Sequence, residues 1–512
     1  MSRKILTASL GLALSTLGCA RDAQAIHLST DGRGQVLIYP YYTVNGGNAT
    51  LLSVVNTTED VKALKVRFRE AMNGQLVLDF NLYLGPLDVW TGALTGDSEA
   101  LDPVHAAAAV LQTADSSCTV PRIPAEGQSF DNFEYDFNNE DGGPYEDSRT
   151  RSGYIEIIEM GRLTGEFAAA ASLAEAGVPT NCQRLVDAWH WGTQGQANGI
   201  WRDQPNEGLL PPTGGLYGGA EIVDVTNGTN LSYSADAIDG FYTLPTGSLH
   251  HSPNNWKPDL GSARMAEDGT VSAYVIDEGE LIRLDFDEST SQAPGLKAMS
   301  AVLMREWIYN EFEISPGFAT EWVVTFPTRG LHLAYPIQLG VGNDDREPFS
   351  ISYAPPTESL VDIGDSGNYR LQITNREAKL PFNGPFFGGQ PGYPGSLNFS
   401  ANVIGIAYGG AYGWSWFWKE HAWHGGEQSD LLGSYDTSYI NPISQQGMAQ
   451  LKFSQYYEFQ LQDRNGHIIY GLPVLGFSAI RATLAGNGSA LANFSVIHRH
   501  HMKTTVEAAD GQ

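Results

Sequence analysis

The chain is poor in basic residues, in cysteine and in long apolar stretches. Its 512 residues include 30 lysines and arginines against 58 aspartates and glutamates, and only 3 cysteines. The formal net charge of −28 repels phosphate backbones, so nucleic acid is not an expected partner. No apolar stretch reaches the roughly 20 residues that a membrane-spanning helix needs. These shortages argue against a nucleic-acid-binding protein and against a transmembrane segment.

The first 25 residues have the layout of a secretory signal peptide. Two basic residues precede an apolar run over Ile5–Leu17, and Ala23–Ala25 carries the small-x-small pattern of a signal-peptidase site. Cleavage after Ala25 would release a soluble protein that begins at Ile26, with a net charge of −30 because residues 1–25 carry a net charge of +2. Lipid attachment at Cys19 is the alternative, and it would anchor the protein to a membrane. Both alternatives predict export to the cell surface or the extracellular space.

Cys118 and Cys182 are the two cysteines that remain after the leader. In an oxidising compartment such a pair is typical of a disulfide. Closing so long a loop would stabilise the fold by about 4 kcal/mol in the chain-entropy model. Two buried free thiols are the alternative.

Apolar and polar residues alternate with a period of two through much of the chain. Residues 64–69 alternate between apolar and basic, residues 76–84 alternate similarly, and Asn73-Gly74 between them is a favoured hairpin turn. The pattern predicts two long strands, each with one face buried and the other exposed. Similar runs recur to the C-terminus.

The predicted fold is mainly β, with one or two packed antiparallel sandwiches of an immunoglobulin-like or jelly-roll-like type. Helical spacing is confined to short insertions at residues 164–176, after Asn181, and at residues 296–312. Residues 26–345 are expected to form a sandwich region with long loops. Residues 346–512 are expected to form a C-terminal β region, either as a second domain or as part of the same one.

Four stretches of sequence have a familiar pattern. They are Gln35–Thr43, Asp79–Leu84 together with Asp88–Thr91, Gly153–Gly161, and Glu321–Thr328. These stretches resemble a family of uncharacterised secreted or cell-surface proteins of double-membraned bacteria. The resemblance implies export and a β-rich fold, and it implies no particular activity. A later tryptophan-rich segment departs from the family pattern, so any function there belongs to this chain.

That segment places Trp414, Trp416 and Trp418 at alternate positions. On a strand the three indoles would project from one face as a flat row, which suits stacking on sugar rings or sealing a protein interface. The alternative is that the row fills a sandwich core. The sequence therefore favours a non-enzymatic structural or adhesive protein that binds an extracellular glycan, a polymer or a protein surface.

Four histidines form a weak candidate metal site. His421 and His424 lie three residues apart, while His498 and His500 lie two apart on an expected final strand and would share a face. Four ligands would require the two segments to meet. The alternatives are a simple basic cluster, or exposed and core histidines.

An acidic loop at residues 131–147 is a candidate Ca²⁺ site. Asp136, Asn138 and Glu140 place oxygen atoms at alternating positions, as Ca²⁺-binding loops do. However, Asp141 occupies the position at which an EF-hand requires glycine. The alternative is an ordinary solvated loop, and no other cofactor is expected.

No catalytic motif occurs in the strand–turn–helix setting that it would require. A secreted hydrolase acting on an extracellular polymer is the alternative function, with reactive groups that come together only on folding. A third alternative is a filament subunit, in which copies of the chain assemble by donating β-strands to exposed sheet edges.

Overall fold

The computed structural model describes most of the chain from residue 25 onward. The described residues are 25–96; 107–333 except 140, 142, 176, 194–196 and 243–249; 347–349; 369–376; 394–395; 397–407; 428–453 except 436, 441 and 443; 459–484; and 492–508. The described part of the chain is mainly β, with 46% of its residues in strands and 11% in helices. The predicted fold class is confirmed.

Strands make up most of the described secondary structure, and the α-helices are few and short. The strands are β1 His27–Leu28, β2 Val36–Thr43, β3 Asn48–Asn56, β4 Val61–Glu70, β5 Leu76–Leu84, β6 Val89–Thr95, β7 Val110–Gln112, β8 Cys118–Val120, β9 Gln128–Ser129, β10 Ser152–Leu163, β11 Leu209–Leu210, β12 Leu216–Asp224, β13 Thr229–Ser234, β14 Asp236–Asp239, β15 Val271–Asp277, β16 Glu280–Phe286, β17 Met304–Arg305, β18 Trp307–Glu313, β19 Phe318–Thr325, β20 Tyr369–Asn375, β21 Pro394–Gly395, β22 Ala401–Ile406, β23 Thr437–Ile440, β24 Gln446–Lys452, β25 Gln460–Gln462, β26 Ile468–Tyr470, β27 Leu472–Pro473, β28 Leu475–Leu484, β29 Ala492–Arg499, β30 His501–Lys503 and β31 Val506–Glu507. The α-helices are α1 Gly165–Ala171, α2 Cys182–Ala188, α3 Ile200–Asp203 and α4 Pro294–Leu303.

Two large antiparallel sheets form the first sandwich. The eight-stranded sheet has the order β1-β14-β2-β10-β4-β5-β8, with β11 paired to β10. The six-stranded sheet has the order β13-β12-β3-β6-β7-β9. Alternate apolar side chains of both sheets, such as Leu37, Val66, Val54 and Trp90, meet in one core between them.

Two five-stranded sheets form a second sandwich. Their orders are β21-β20-β24-β18-β30 and β23-β22-β19-β28-β29, and all their pairs are antiparallel except β22–β23. Trp322 and Val324 of β19 face the core between these two sheets. Val323 of β19 and Phe477 of β28 point the other way, into the core of the first sandwich. Residues on both sides of position 345 therefore share one core.

The basic face of β4 is buried, so the prediction of an exposed face on this strand is wrong. Lys65 and Arg67 are at most 1% exposed. Their charges are paired with Asp79 of β5, and residues 252–258 cover them with backbone carbonyls. Burial of such side chains is tolerated because each cation has both an anion and hydrogen-bond acceptors.

The helical insertions are shorter than predicted. α1 ends at Ala171, and α4 ends at Leu303 instead of continuing to Phe312. After Leu303 the burial pattern changes to a period of two, and residues 307–313 form β18 in the second sandwich. The predicted helix after Asn181 is present, and the Asn181 side chain accepts a hydrogen bond from the Arg184 backbone N–H at its start. Within the part of the chain that the structure describes, every helix is too short or too polar to cross a bilayer.

Candidate functional site

A groove of about 830 Å³ crosses the outer face of the six-stranded sheet. This face points away from the core of the first sandwich. The groove passes over β13, β12, β3 and β6 and reaches the end of β7 at Gln112. Five strands are separated by four spacings of about 4.8 Å, so the groove extends roughly 19 Å across the strands.

The strand register builds the floor of the groove from short side chains. Ser234, Gly219, Ser53 and Thr91 lie side by side on four neighbouring strands. A Cβ atom at Gly219 would lie 2.8 Å from the backbone oxygen of Tyr233, so glycine is required there. The floor is therefore low and carries hydroxyl groups on three of its four positions.

A second row of side chains lies two residues further along the same strands. Its members share the outward face and the groove lining, and they are Ser232, Glu221, Leu51, Ala93 and Gln112. Glu221 accepts a hydrogen bond from the Asn230 amide at 3.2 Å. The row presents a carboxylate and a carboxamide on either side of a short apolar centre.

Strand β29 closes one end of the groove. Ile497 and Arg499 of this strand line it. The Arg499 guanidinium pairs with Asp236 at 3.0 Å and donates to the Ser234 backbone oxygen at 3.3 Å. Side chains of the second sandwich thus hold the edge strand of the first, and the wall is fixed to the floor.

An exposed apolar strip borders the groove on the side opposite the second row. Tyr217, Val55 and Val89 face each other across three strands, two residues from the floor row. Tyr217 is 45% exposed and Val89 is 44% exposed. Exposed apolar side chains in a contiguous strip are typical of binding surfaces.

Two pairs of potentially reactive side chains lie elsewhere and serve structural roles. Ser300 Oγ lies 2.8 Å from His332 Nε2, but both residues are completely buried. His467 Nδ1 lies 3.2 Å from Asp463, whose carboxylate accepts hydrogen bonds from the backbone N–H groups of Asn465 and His467 and so shapes a turn. A nucleophile or base needs access to a substrate, which the buried Ser300–His332 pair does not have, and the Asp463 carboxylate is engaged in its turn.

Of the four histidines predicted to bind a metal, only His498 and His500 lie among the described residues. His498 lies on β29 opposite Ser478. His500 follows that strand and is buried, with Nε2 2.8 Å from the Val323 backbone oxygen and Nδ1 in contact with the Asn310 side chain. His421 and His424 lie outside the described residues. In the described ranges, no three histidine, cysteine, aspartate or glutamate side chains converge on a point that could hold a metal ion.

An arginine binds one carboxylate of the acidic loop that was predicted as a Ca²⁺ site. Arg149 binds the carboxylates of Asp141 and Glu70. Asp136 accepts the backbone N–H of Asn138 at 2.9 Å and so stabilises a turn. Burial acts to raise the pKa of Asp141. The hydrogen bonds and the charge of Arg149 outweigh this effect and keep the pKa of Asp141 below its usual value. Glu140 lies outside the described residues.

The predicted disulfide between Cys118 and Cys182 is present and joins β8 to the start of α2. The predicted aromatic row of Trp414, Trp416 and Trp418 lies outside the described residues.

The groove residues were not predicted from sequence. Their signal was weak, because serine, threonine and glycine at alternate positions of β12, β3, β6 and β13 also occur on ordinary exposed strands.

No protein-family model, no curated protein and no solved structure matches the chain.

Proposed function

We propose that this protein is an exported, non-enzymatic surface protein that binds an extended polymer in the groove of the six-stranded sheet. The observation that carries the proposal is the open groove itself, which crosses five strands and is lined by hydroxyl-bearing side chains together with small and apolar ones. A groove of this length suits a chain-like ligand better than a compact one. The Cys118–Cys182 disulfide is compatible with the predicted export.

The lining favours binding over catalysis. Its polar groups are hydroxyls, one carboxamide, one carboxylate and one guanidinium, and the guanidinium of Arg499 is paired with Asp236. Such groups fix the orientation of a ligand by hydrogen bonding. Hydrolysis of a polymer, assembly by strand donation, and binding through Trp414, Trp416 and Trp418 remain predictions from the sequence.

The proposal is tested by filling the groove. Thr91 is an exposed threonine on the floor, so Thr91→Arg would place a long side chain in the path of the ligand without disturbing the core. We expect at least tenfold weaker binding, or about 1.4 kcal/mol, to any polymer that the wild type retains. The measurement is retention of the purified protein on a panel of immobilised polysaccharides and extracellular proteins.

Leu281→Arg is the matched control, because Leu281 is 65% exposed on β16 and is not part of the groove. Both variants should unfold at the wild-type temperature. If Thr91→Arg binds every retained polymer as strongly as Leu281→Arg does, the groove is not the binding site and the proposal is wrong.

A further inference from the structure

We infer that the ligand of the groove is an uncharged glycan laid across the strands, an inference that rests on the proposed function. The floor strands β12, β3 and β6 each have a hydrogen-bonded neighbour on both sides. An extended peptide binds a sheet by pairing with an unsatisfied edge, and a ligand lying across these strands finds no such edge. Recognition in the groove must therefore come from side chains.

The side chains on the floor and in the second row suit sugar hydroxyls. Ser53, Thr91, Ser232 and Ser234 carry hydroxyl groups, a group that can both donate and accept hydrogen bonds. The Ser232 hydroxyl donates to the Asn230 side chain at 2.9 Å and therefore serves a ligand as an acceptor. Sugar hydroxyls have the same dual capacity. Ser53 and Thr91 lie one strand spacing of about 4.8 Å apart, and Ser234 lies two spacings from Ser53 because Gly219 is between them. Successive units of a linear glycan would therefore meet hydroxyl partners at multiples of this spacing. Gln112 and Glu221 add acceptors in the second row.

Tyr217 provides an apolar surface beside these hydroxyls. It lies two residues from Gly219 on the same face of β12, roughly 7 Å along the strand. Its ring is 45% exposed. The C–H face of a sugar ring stacks on an aromatic ring in this way, while the hydroxyls at its edge hydrogen-bond to polar groups.

The charge of the molecule opposes anionic glycans. The chain carries a net charge of −28. Of the two charged side chains that line the groove, Glu221 is an anion, and Arg499 is already paired with Asp236. A polyuronate or a sulfated glycan would therefore be repelled, whereas an uncharged glycan would not.

The test is calorimetric titration of the full exported protein with cellopentaose, with an oligouronate of equal length, with a chitosan oligomer and with an extended peptide. We expect the uncharged oligosaccharide to bind and the oligouronate to bind at least tenfold more weakly. Tyr217→Ala should weaken binding of the uncharged glycan about tenfold. Tyr145→Ala is the matched control, because Tyr145 is 55% exposed in the acidic loop, and it should leave the affinity unchanged.

Glu221→Gln separates an uncharged ligand from a cationic one. The carboxamide keeps a hydrogen-bond acceptor but loses the charge, so the affinity for an uncharged glycan should change by less than about threefold. Preferential binding of chitosan, with a large loss in Glu221→Gln, would overturn the inference.

The failure of this inference is distinguishable from failure of the proposed function. If only the oligouronate or the peptide binds, and Thr91→Arg abolishes that binding, the groove is a polymer site and the inference about an uncharged glycan is wrong. If Thr91→Arg alters no binding at all, both are wrong.

Discussion

His250 is a completely buried histidine that the fold keeps neutral. Its Nδ1 lies 3.0 Å from the Pro205 backbone oxygen, and its Nε2 lies 2.9 Å from the hydroxyl of Tyr83, which also accepts a hydrogen bond from Trp189. A neutral imidazole with the proton on Nδ1 satisfies both contacts. Burial, together with smaller contributions from Lys65 and His251, lowers the pKa of His250 from 6.5 to about 3, against the hydrogen bond to Pro205 that raises it.

This depressed pKa makes the protein less stable in acid. Below pH 6.5 the unfolded chain takes up a proton at His250 that the folded chain does not, so the free energy of unfolding falls as the pH falls toward 3. One such group contributes about 1.4 kcal/mol per pH unit. Between pH 7 and pH 5, His250 should therefore lower the free energy of unfolding by about 2 kcal/mol.

Urea unfolding at the two pH values checks this prediction. His250→Gln should be less stable than the wild type at pH 7, and the difference should shrink by about 2 kcal/mol at pH 5. His190→Gln is the control, since His190 is exposed and its replacement should leave the pH dependence unchanged. An equal stability difference between wild type and His250→Gln at both pH values would contradict a neutral buried imidazole.

The burial of Lys65 on β4 depends on residues that are distant in the sequence. Lys65 donates to Asp79 at 3.1 Å and to the backbone oxygen of Ser252 at 2.8 Å. The alternation that includes Lys65 is identical to that of an exposed strand. The oxygen that covers it comes from a residue 187 positions further along the chain. A local pattern carries no information about such a partner, so burial of this face could not be predicted.

Strands could be predicted from the sequence wherever apolar and polar residues alternate within the strand itself. β4 and β5 form the predicted hairpin, with Gly74 in its turn at a φ of +74°. The groove depends instead on the pairing of β12 with β3, which aligns Gly219 with Ser53 across 166 residues of sequence. Sequence alternation predicts which residues face outward on each strand. It does not predict which outward residues become neighbours, and so the site could not be located.

The disulfide fastens the helical insertion to the first sandwich. Cys118 lies on β8, and Cys182 begins α2, 64 residues later. Phe167, Leu185 and Trp201 of the three short helices pack in one cluster with residues of β4 and β10. These helices are too short to be stable alone, so their stability depends on this packing and on the covalent link.

Removing the disulfide should therefore destabilise the protein. The double substitution Cys118→Ser/Cys182→Ser releases a loop of 64 residues, and the chain-entropy model gives a loss of about 4 kcal/mol. Denaturant unfolding measures the loss, and amide hydrogen exchange should be faster in α1 and α2. Reduced wild type should show the same shift, and reductant should not affect the variant. Equal stability of oxidised and reduced wild type would contradict the prediction.

One buried carboxylate of the second sandwich binds a loop that also contacts the first sandwich. Glu321 on β19 accepts hydrogen bonds from Ser429 Oγ at 2.9 Å and from the backbone N–H groups of Leu431 and Leu432 at 2.9 and 3.0 Å. The backbone oxygens of Leu432 and Leu431 in turn accept from Thr43 at 3.0 Å and Asn48 at 3.1 Å, both in the first sandwich. Three donors converge on the carboxylate, so its ionised form fits the site, although burial raises its pKa.

Replacing this carboxylate should loosen both sandwiches together. Glu321→Gln brings an NH₂ group toward three donors, which leaves at least one buried donor unsatisfied and costs about 1–3 kcal/mol. Because residues 429–432 contact both sandwiches, hydrogen exchange should accelerate at residues 43–48 as well as at 429–432. Glu311→Gln, at an exposed position on β18, should change neither stability nor exchange. If Glu321→Gln accelerates exchange at 429–432 alone, then the loop belongs to the second sandwich and the shared apolar core holds the two together without it.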